Sequence, residues 1–93
     1  MKVIWSADAV RDLEAIRDYI AESNPVAAKE TARHIVDALE TLVEFPGMGR
    51  PGRLPHTREL VVSGTPFIVP YRVTEKGVEI AAIIHGARKW PDV

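Results

Sequence analysis

The fold is decided by residues 67–84, which read FIVPYRVTEKGVEIAAII. Apolar side chains occupy every second position on either side of residues 74–77: Phe67, Val69, Tyr71 and Val73 before them, and Val78, Ile80, Ala82 and Ile84 after them. A period of two is typical of β-strands whose two faces meet different surroundings. We therefore predict two antiparallel strands joined by a hairpin turn at residues 74–77.

Further strands and one irregularity are predicted beside this hairpin. Residues 59–62 are interpreted as a third strand, separated from the next one by turn residues at 63–66, and residues 2–5 as a short strand. Pro70 lies inside the most regular strand, where it has no N–H to donate to a neighbour. We therefore expect a local irregularity at Pro70.

The first half of the chain shows helical periodicity. Ser6 suits a helix N-cap, and Asn24 followed by Pro25 gives a second helix start. The apolar stripes are Ala9, Leu13, Ile16 and Ile20 in the first helix, about residues 7–22, and Ala28, Ala32, Ile35, Leu39 and Leu42 in the second, which ends before Pro46. Two amphipathic helices need a layer that covers their apolar sides. We predict an α+β fold in which an N-terminal helical hairpin packs on one face of a small antiparallel β-sheet, with residues 1–93 as a single domain.

Composition narrows the classes of function. A chain of 93 residues that is 46% hydrophobic and 27% charged is typical of a globular domain with one core. Without cysteine it has neither a disulfide nor a thiolate metal site. His34, His56 and His85 share no ligand spacing, so we expect no metal and no cofactor. The sequence starts without a long apolar segment, which predicts a cytoplasmic protein with no membrane partner.

Charge is unevenly distributed, although the net charge is only −1. Residues 1–49 carry five Lys and Arg against nine Asp and Glu, whereas residues 50–93 carry seven against four. The second half is therefore basic. This distribution fits an anionic partner and fits a solvated sheet face equally well.

Several short motifs follow one another along the whole chain. They are Trp5 and Ser6, then Ala9, Asp12, Leu13 and Ile16 in the first helix, Tyr19 and Ile20, FPGMGRPG at 45–52, TREL at 57–60, PYRV at 70–73 and HGAR at 85–88. In this order and spacing, the chain resembles the RelE/ParE superfamily of bacterial toxins. The resemblance implies the toxin of a type II toxin-antitoxin system, which inhibits growth and forms a hetero-oligomer with a cognate antitoxin that silences it.

RelE-type members act on the ribosome and cleave mRNA, and the end of this sequence gives that activity a slight preference. Cleavage needs cations on the scissile phosphate and a group that exchanges protons near neutral pH, as histidine does. The candidate catalytic residues of such an endoribonuclease are His85, Arg88 and Arg58. The candidate residues for binding nucleic acid or another target are Arg50, Arg53, Arg72, Lys89 and Trp90, the last as a platform for base stacking.

Two other functions stay open. The ribonuclease members carry basic residues at places that match Glu59, Val61 and Ile68 here, and a C-terminal tyrosine that this chain lacks. ParE-type members instead bind DNA gyrase and trap it on cut DNA, which needs no catalytic residue. The helical hairpin and the proline-containing loop fit that group at least as well. The third function is that of a non-toxic domain that only binds the antitoxin.

Each candidate residue also has a purely structural interpretation. These are a hydrogen bond to a neighbouring carbonyl for His85, cross-strand pairing with Glu59, Glu75 or Glu79 for Arg58 and Arg72, packing for Trp5 and Trp90, and solvated loop charge for Arg50 and Arg53.

Overall fold

Two helices and six short strands make up the part of the chain that the computed structural model describes, residues 1–87 and Trp90. In chain order they are β1 (Val3–Trp5), α1 (Ala7–Ala21), α2 (Pro25–Glu44), β2 (Arg50–Pro51), β3 (Arg58–Val61), β4 (Phe67–Thr74), β5 (Gly77–Ile80) and β6 (Ile84–His85). The helices pack on one sheet, so the predicted α+β class is confirmed. No helix among these residues is long and apolar enough to cross a membrane.

Both helices begin where the capping residues predict. The side chain of Ser6 accepts a hydrogen bond at 3.0 Å from an N–H in the first turn of α1, and Asn24 does the same for α2, also at 3.0 Å. Each bond satisfies one of the N–H groups that a first helical turn leaves unpaired. α2 ends at Glu44 because Phe45 precedes Pro46, and a residue before proline avoids the helical conformation.

The strands lie in the order β1-β5-β4-β3-β2, and β6 pairs with the first residues of β4. The predicted hairpin is confirmed, because β4 and β5 are antiparallel neighbours. All other pairs are antiparallel too, except that β1 runs parallel to β5. A parallel pair needs a long crossover connection, and both helices belong to the connection here.

The irregularity expected at Pro70 is confirmed as a one-residue bulge in the strand beside it. On β4, Tyr71 pairs with Ile80 of β5, and Ile68 pairs with Ile84 of β6. The two residues between them on β4 (69–70) therefore lie opposite three residues (81–83) of the neighbouring segment, which is the pattern of a bulge. The Pro70 carbonyl accepts a hydrogen bond at 2.9 Å from the N–H of Ala81, the residue after β5. In an antiparallel ladder the nitrogen and the carbonyl of one residue point to the same neighbouring strand, so the nitrogen of Pro70 also points toward residues 81–83. The missing N–H therefore falls at the bulge, where no regular ladder needs it.

The bulge segment, residues 81–83, is held by two side chains from the start of the helical hairpin. Ser6 Oγ donates to the Ala81 carbonyl at 2.8 Å, and the Ile83 N–H donates to Asp12 Oδ2 at 2.9 Å. A bulge leaves backbone groups without strand partners, and unpaired backbone groups destabilise a fold. Ser6 and Asp12 replace the lost partners.

The sheet has a helix face, which packs on α1 and α2, and an open face on the other side. The core cluster that joins the helices to the sheet consists of Ala9, Ile35, Leu39, Leu42, Leu60, Val62, Val69, Tyr71, Val78, Ile80 and Ile83. Side chains alternate between faces along a strand, so Glu59, Pro70 and Arg72 lie on the open face. A smaller apolar cluster contains Ile68, Ala82 and Ile84, with Trp90 packed against it.

Candidate functional site

His85 lies on β6, directly opposite Phe67 at the start of β4. Its ring meets the Phe67 ring edge to face, with 6.2 Å between the centroids, and borders a recess that Ile16 and Tyr19 of α1 also line. Nδ1 accepts a hydrogen bond from the Ala87 N–H at 3.1 Å, so the partner is an N–H and not the carbonyl of the structural interpretation. A ring nitrogen that accepts carries no proton, which leaves Nε2–H of the neutral ring as a donor.

The sheet separates His85 from two of the predicted arginines. His85 and Arg58 pair with opposite sides of β4 at positions four residues apart, and four residues span about 13 Å along a strand. Arg72 lies on the open face, further still from the His85 end of β4. Arg88 and Lys89 lie outside the described residues. Within the described part of the chain, the predicted proton-exchanging group and the predicted cations thus occupy different parts of the sheet.

Arg50 and Arg53 converge on one buried carboxylate, that of Glu59, which exposes only 2% of its surface. Arg50 Nη2 lies 3.2 Å from Oε1 and Arg53 Nε lies 3.3 Å from Oε2, and the backbone N–H of Arg53 also donates to Oε2 at 3.0 Å. A carboxylate is buried at a high free-energy cost unless it is paired and hydrogen-bonded. The interpretation of Arg50 and Arg53 as solvated loop charges is therefore wrong. We call these three residues the Glu59 cluster.

The sequence pattern offers Glu59 only as a cross-strand partner for Arg58 or Arg72, not as a partner for Arg50 and Arg53. The available signal was weak: a single carboxylate beside Leu60 in a predicted strand, a few residues after two arginines. Nothing local shows that the loop folds back so that both arginines reach this carboxylate. The contact depends on the pairing of β2 with β3, which sets Arg50 directly opposite Glu59.

Arg72 pairs across the sheet with Glu79, as its structural interpretation predicted, with Nη2 3.3 Å from Oε1. The Thr74 hydroxyl donates to Oε2 of the same carboxylate at 2.7 Å. The hydrogen bond from Thr74 and, after it, the contact with Arg72 lower the pKa of Glu79. Arg58 behaves differently, because its Nη1 donates to the Gly49 carbonyl at 2.8 Å rather than to a glutamate.

Tyr71 fixes the loop that carries Arg50 and Arg53. Its buried hydroxyl donates to the Pro46 carbonyl at 2.8 Å and accepts the Gly49 N–H at 2.8 Å. A Cβ at position 49 would lie 2.6 Å from the hydroxyl oxygen, so glycine is required for this close approach. Burial raises the pKa of Tyr71. The sequence assigned Tyr71 to the apolar side of a strand and missed its role as an anchor for the loop.

Both tryptophans pack as their structural interpretation predicted. Trp5 is partly buried against the core on the helix face, and Trp90 packs against the smaller apolar cluster. The backbone carbonyl of Trp90 also accepts a hydrogen bond from Arg53 Nη1 at 3.4 Å, which connects this residue to the Glu59 cluster. Base stacking by Trp90 stays a prediction.

Comparison with known proteins agrees with the fold and with the resemblance in sequence. The family described as the ParE toxin of the type II toxin-antitoxin system parDE matches residues 3–90. Y4kP of Sinorhizobium fredii is 40% identical over 92 residues, which cover 99% of this chain and 95% of Y4kP. Toxin RelE2 of Caulobacter vibrioides is 40% identical over 87 residues, which cover 94% of this chain and 97% of RelE2.

A solved structure gives the same assignment. The chromosomal ParDE TA system from P. aeruginosa contains a chain that matches with a TM-score of 0.84 at 33% identity, covering 91% of this chain and 95% of that chain. The chain belongs to the ParE toxin family of type II toxin-antitoxin systems. Membership of this family implies an antitoxin partner.

Proposed function

We propose that this toxin arrests growth by binding DNA gyrase rather than by cleaving mRNA. The observation that carries the proposal is the pairing of open-face arginines with carboxylates. Arg50 and Arg53 share Glu59, and Arg72 pairs with Glu79. RNA cleavage depends on cations that act on the phosphate and on an acid or base within hydrogen-bond reach of the reacting oxygens. Inhibition through protein contact needs neither.

The identity of the residues around the Glu59 cluster supports the same function. Glu59 occupies a position at which resemblance to the ribonuclease members predicts a basic residue, and it is buried, so its charge cannot turn away into solvent. Val61, another such position, is apolar and 51% exposed. Apolar side chains beside arginines are common at the centre of protein interfaces.

Ribosome-dependent mRNA cleavage is the second candidate, favoured by the segment from His85 to Trp90. The observation that favours it is the His85 ring, whose Nε2–H is left as a donor beside an open recess. In this candidate, His85 exchanges the proton, and Arg88 and Arg58 stabilise the charge on the phosphate.

Thymidine and methionine incorporation in the first minutes after induction distinguishes the two candidate targets. We would express the chain without its antitoxin in a bacterial host and follow thymidine and methionine incorporation. An early fall in thymidine incorporation with a DNA-damage response supports gyrase, and an immediate fall in methionine incorporation supports cleavage of mRNA. If neither falls, both candidates are contradicted and the non-toxic, antitoxin-binding domain is the remaining function.

Substitutions in the toxin also distinguish gyrase inhibition from mRNA cleavage. His85→Ala and Arg88→Ala are compared with Arg17→Ala, a matched control at an exposed position of α1. For a gyrase inhibitor that acts without His85, His85→Ala arrests growth as strongly as the control at equal protein level. Loss of toxicity in both His85→Ala and Arg88→Ala, with the control still toxic, would contradict the gyrase proposal and support cleavage.

A further inference from the structure

The two edges of the sheet differ in how they are protected from pairing with another chain. β2, at one edge, consists of Arg50 and Pro51, and a charge and a proline both oppose the addition of a further strand. β1, at the other edge, consists of Val3, Ile4 and Trp5 and has neither feature. An edge strand without a charge or a proline offers its backbone to a strand from outside. The edge at β1 is therefore the place where this sheet can be extended.

The outer backbone groups of β1 have no partner among the described residues. The Lys2 carbonyl accepts a hydrogen bond at 2.8 Å from an N–H of β5, and the Ser6 N–H donates at 3.1 Å to a carbonyl of β5. Successive residues of a strand direct their N–H and C=O groups to opposite sides. Residues 2, 4 and 6 therefore face β5, whereas Val3 and Trp5 face outward, where the described chain supplies no bond.

The outward groups are complementary to the same groups of a second copy. If two β1 strands pair antiparallel about a twofold axis at Ile4, Val3 of each copy lies opposite Trp5 of the other. Each such pair exchanges both of its N–H···O=C bonds, as directly opposed residues of an antiparallel ladder do. The side chains of Val3 and Trp5 pack against the core, which holds the strand in place for this pairing.

The charges beside β1 are complementary in the same arrangement. Lys2 of one copy then lies opposite Ser6 of the other, and Asp8 follows in the first turn of α1. Both Lys2 and Asp8 are exposed. Asp8 pairs with Arg11 of its own chain through Oδ1, which leaves Oδ2 for a second cation. Because a twofold interface repeats each contact, the attraction between Lys2 and Asp8 acts twice.

We propose that β1 pairs with β1 of a second copy of this chain, so that two sheets become one. The occupant is a second copy because the backbone groups and the charges at this edge match those of the same segment turned by a twofold axis. β1 has only three residues, so the interface is small and the dimer dissociates on dilution. The proposal goes beyond the choice of gyrase or ribosome, because it concerns the association of the toxin with itself.

The test is sedimentation velocity of the purified full-length chain, without antitoxin, over a wide range of protein and salt concentrations. We expect a monomer-dimer equilibrium that salt shifts toward the monomer, because the contacts between Lys2 and Asp8 are exposed. Lys2→Glu places two negative charges at each contact, and Asp8→Lys places two positive charges there. We expect each substitution to weaken self-association about tenfold.

An equimolar mixture of the two variants gives the sharpest result. In a dimer of Lys2→Glu with Asp8→Lys, each of the two contacts again joins opposite charges. We therefore expect the mixture to dimerise about as strongly as the wild type, although each variant alone does not. Arg33→Glu and Asp37→Lys are the matched controls, because they reverse the charges of an exposed pair on α2. Alone or mixed, these controls should dimerise as the wild type does.

Three results would overturn the proposal. The first is a wild-type chain that stays monomeric at every concentration. The second is self-association that the mixture does not restore, or that Arg33→Glu weakens as much as Lys2→Glu does, which would assign it to another surface or to overall charge. The third is a monomeric toxin whose binding to the antitoxin is weakened by Val3→Pro, which would make the edge a site for a strand of the antitoxin.

Val3→Pro also replaces Asp8→Lys as the second variant if circular dichroism shows that a cation in the first turn of α1 prevents folding. The proline removes the outward N–H of Val3 but none of the hydrogen bonds to β5, and the first residue of a strand tolerates proline. We expect this variant to fold and to weaken the dimer about tenfold, since one bond is lost from each of the two backbone pairs. Unchanged dimerisation of Val3→Pro would contradict pairing through β1.

Discussion

Glu59 is a charged side chain on a strand whose next residue, Leu60, belongs to the core. Its carboxylate can be buried because two guanidinium groups and one backbone N–H reach it from β2 and from the loop that follows β2. The same contacts direct Arg50 and Arg53 toward Glu59. Without Glu59, these two arginines would be open to an external anion. One residue therefore both stabilises the loop and offsets the positive charge of two arginines.

We predict that Glu59→Gln lowers the free energy of unfolding by about 2 kcal/mol, because it leaves two guanidinium groups beside a neutral amide. Urea denaturation at neutral pH measures the change. Glu79→Gln is the control, since it also removes a carboxylate paired with arginine, but from a more exposed position, so its effect should be much smaller. Equal effects of the two substitutions would show that burial of Glu59 is unimportant to its contribution.

Tyr71→Phe should also lower the free energy of unfolding by about 2 kcal/mol, because it removes both hydrogen bonds of the buried hydroxyl. This difference in the free energy of unfolding between the wild type and Tyr71→Phe depends on pH. Burial raises the pKa of Tyr71 in the folded chain, so the unfolded chain loses this proton first. The contribution of the hydroxyl is complete below a pH of about 10, the usual tyrosine pKa, and decreases as the pH rises further.

Urea denaturation of the wild type and Tyr71→Phe at several pH values checks this prediction. The difference between them should be constant near neutral pH and should narrow above a pH of about 10. A difference that stays constant or widens in that range would contradict a raised pKa for Tyr71.

At the scale of elements, the bulge segment is where the helical hairpin and the sheet are joined by polar contacts. The segment has one residue too many to continue the ladder with β4, and Ser6 and Asp12 bond the groups that the ladder leaves free. β6, which carries His85, follows the bulge segment directly along the chain. The position of His85 therefore depends on α1 as well as on the sheet.

We predict that Asp12→Ala lowers the free energy of unfolding by about 1 to 2 kcal/mol, because it leaves the Ile83 N–H without its partner. The loss should be local, so the Ile83 amide should exchange with solvent faster than the amides of β4. Hydrogen exchange followed by NMR measures this. Asp18→Ala, on an exposed part of the same helix, should change neither quantity. An Ile83 amide that stays protected in Asp12→Ala would show that the bond is unimportant.

Elements whose signals are local could be predicted from the sequence. The starts of both helices follow from Ser6 and Asn24, the β4-β5 hairpin follows from alternation, and the irregularity follows from the missing N–H of Pro70. The parallel pairing of β1 and the Glu59 cluster could not be predicted. Each joins segments that are distant along the chain or that meet only after a loop has folded, and alternation along one strand carries no information about such contacts.

At the scale of the whole molecule, membership of the family implies an antitoxin partner. A partner that binds only the folded chain stabilises it by mass action, by about 2.7 kcal/mol when its free concentration is 100 times its dissociation constant. We predict that the melting temperature of the chain rises with the concentration of added antitoxin, as measured by calorimetry. A melting temperature that does not change with an excess of antitoxin would contradict a specific complex with the folded toxin.

The parallel pair of β1 and β5 has a consequence for how the chain matures. Val3 lies opposite Val78, so β1 finds its partner only when the chain has been synthesised as far as β5. Contacts of such long sequence separation form late, because the entropy of the intervening chain opposes them. A nascent chain that stops before residue 77 lacks β5 and β6, and its N-terminal strand has no neighbour. During synthesis, the sheet therefore stays incomplete until the residues of β5 and β6 have been added.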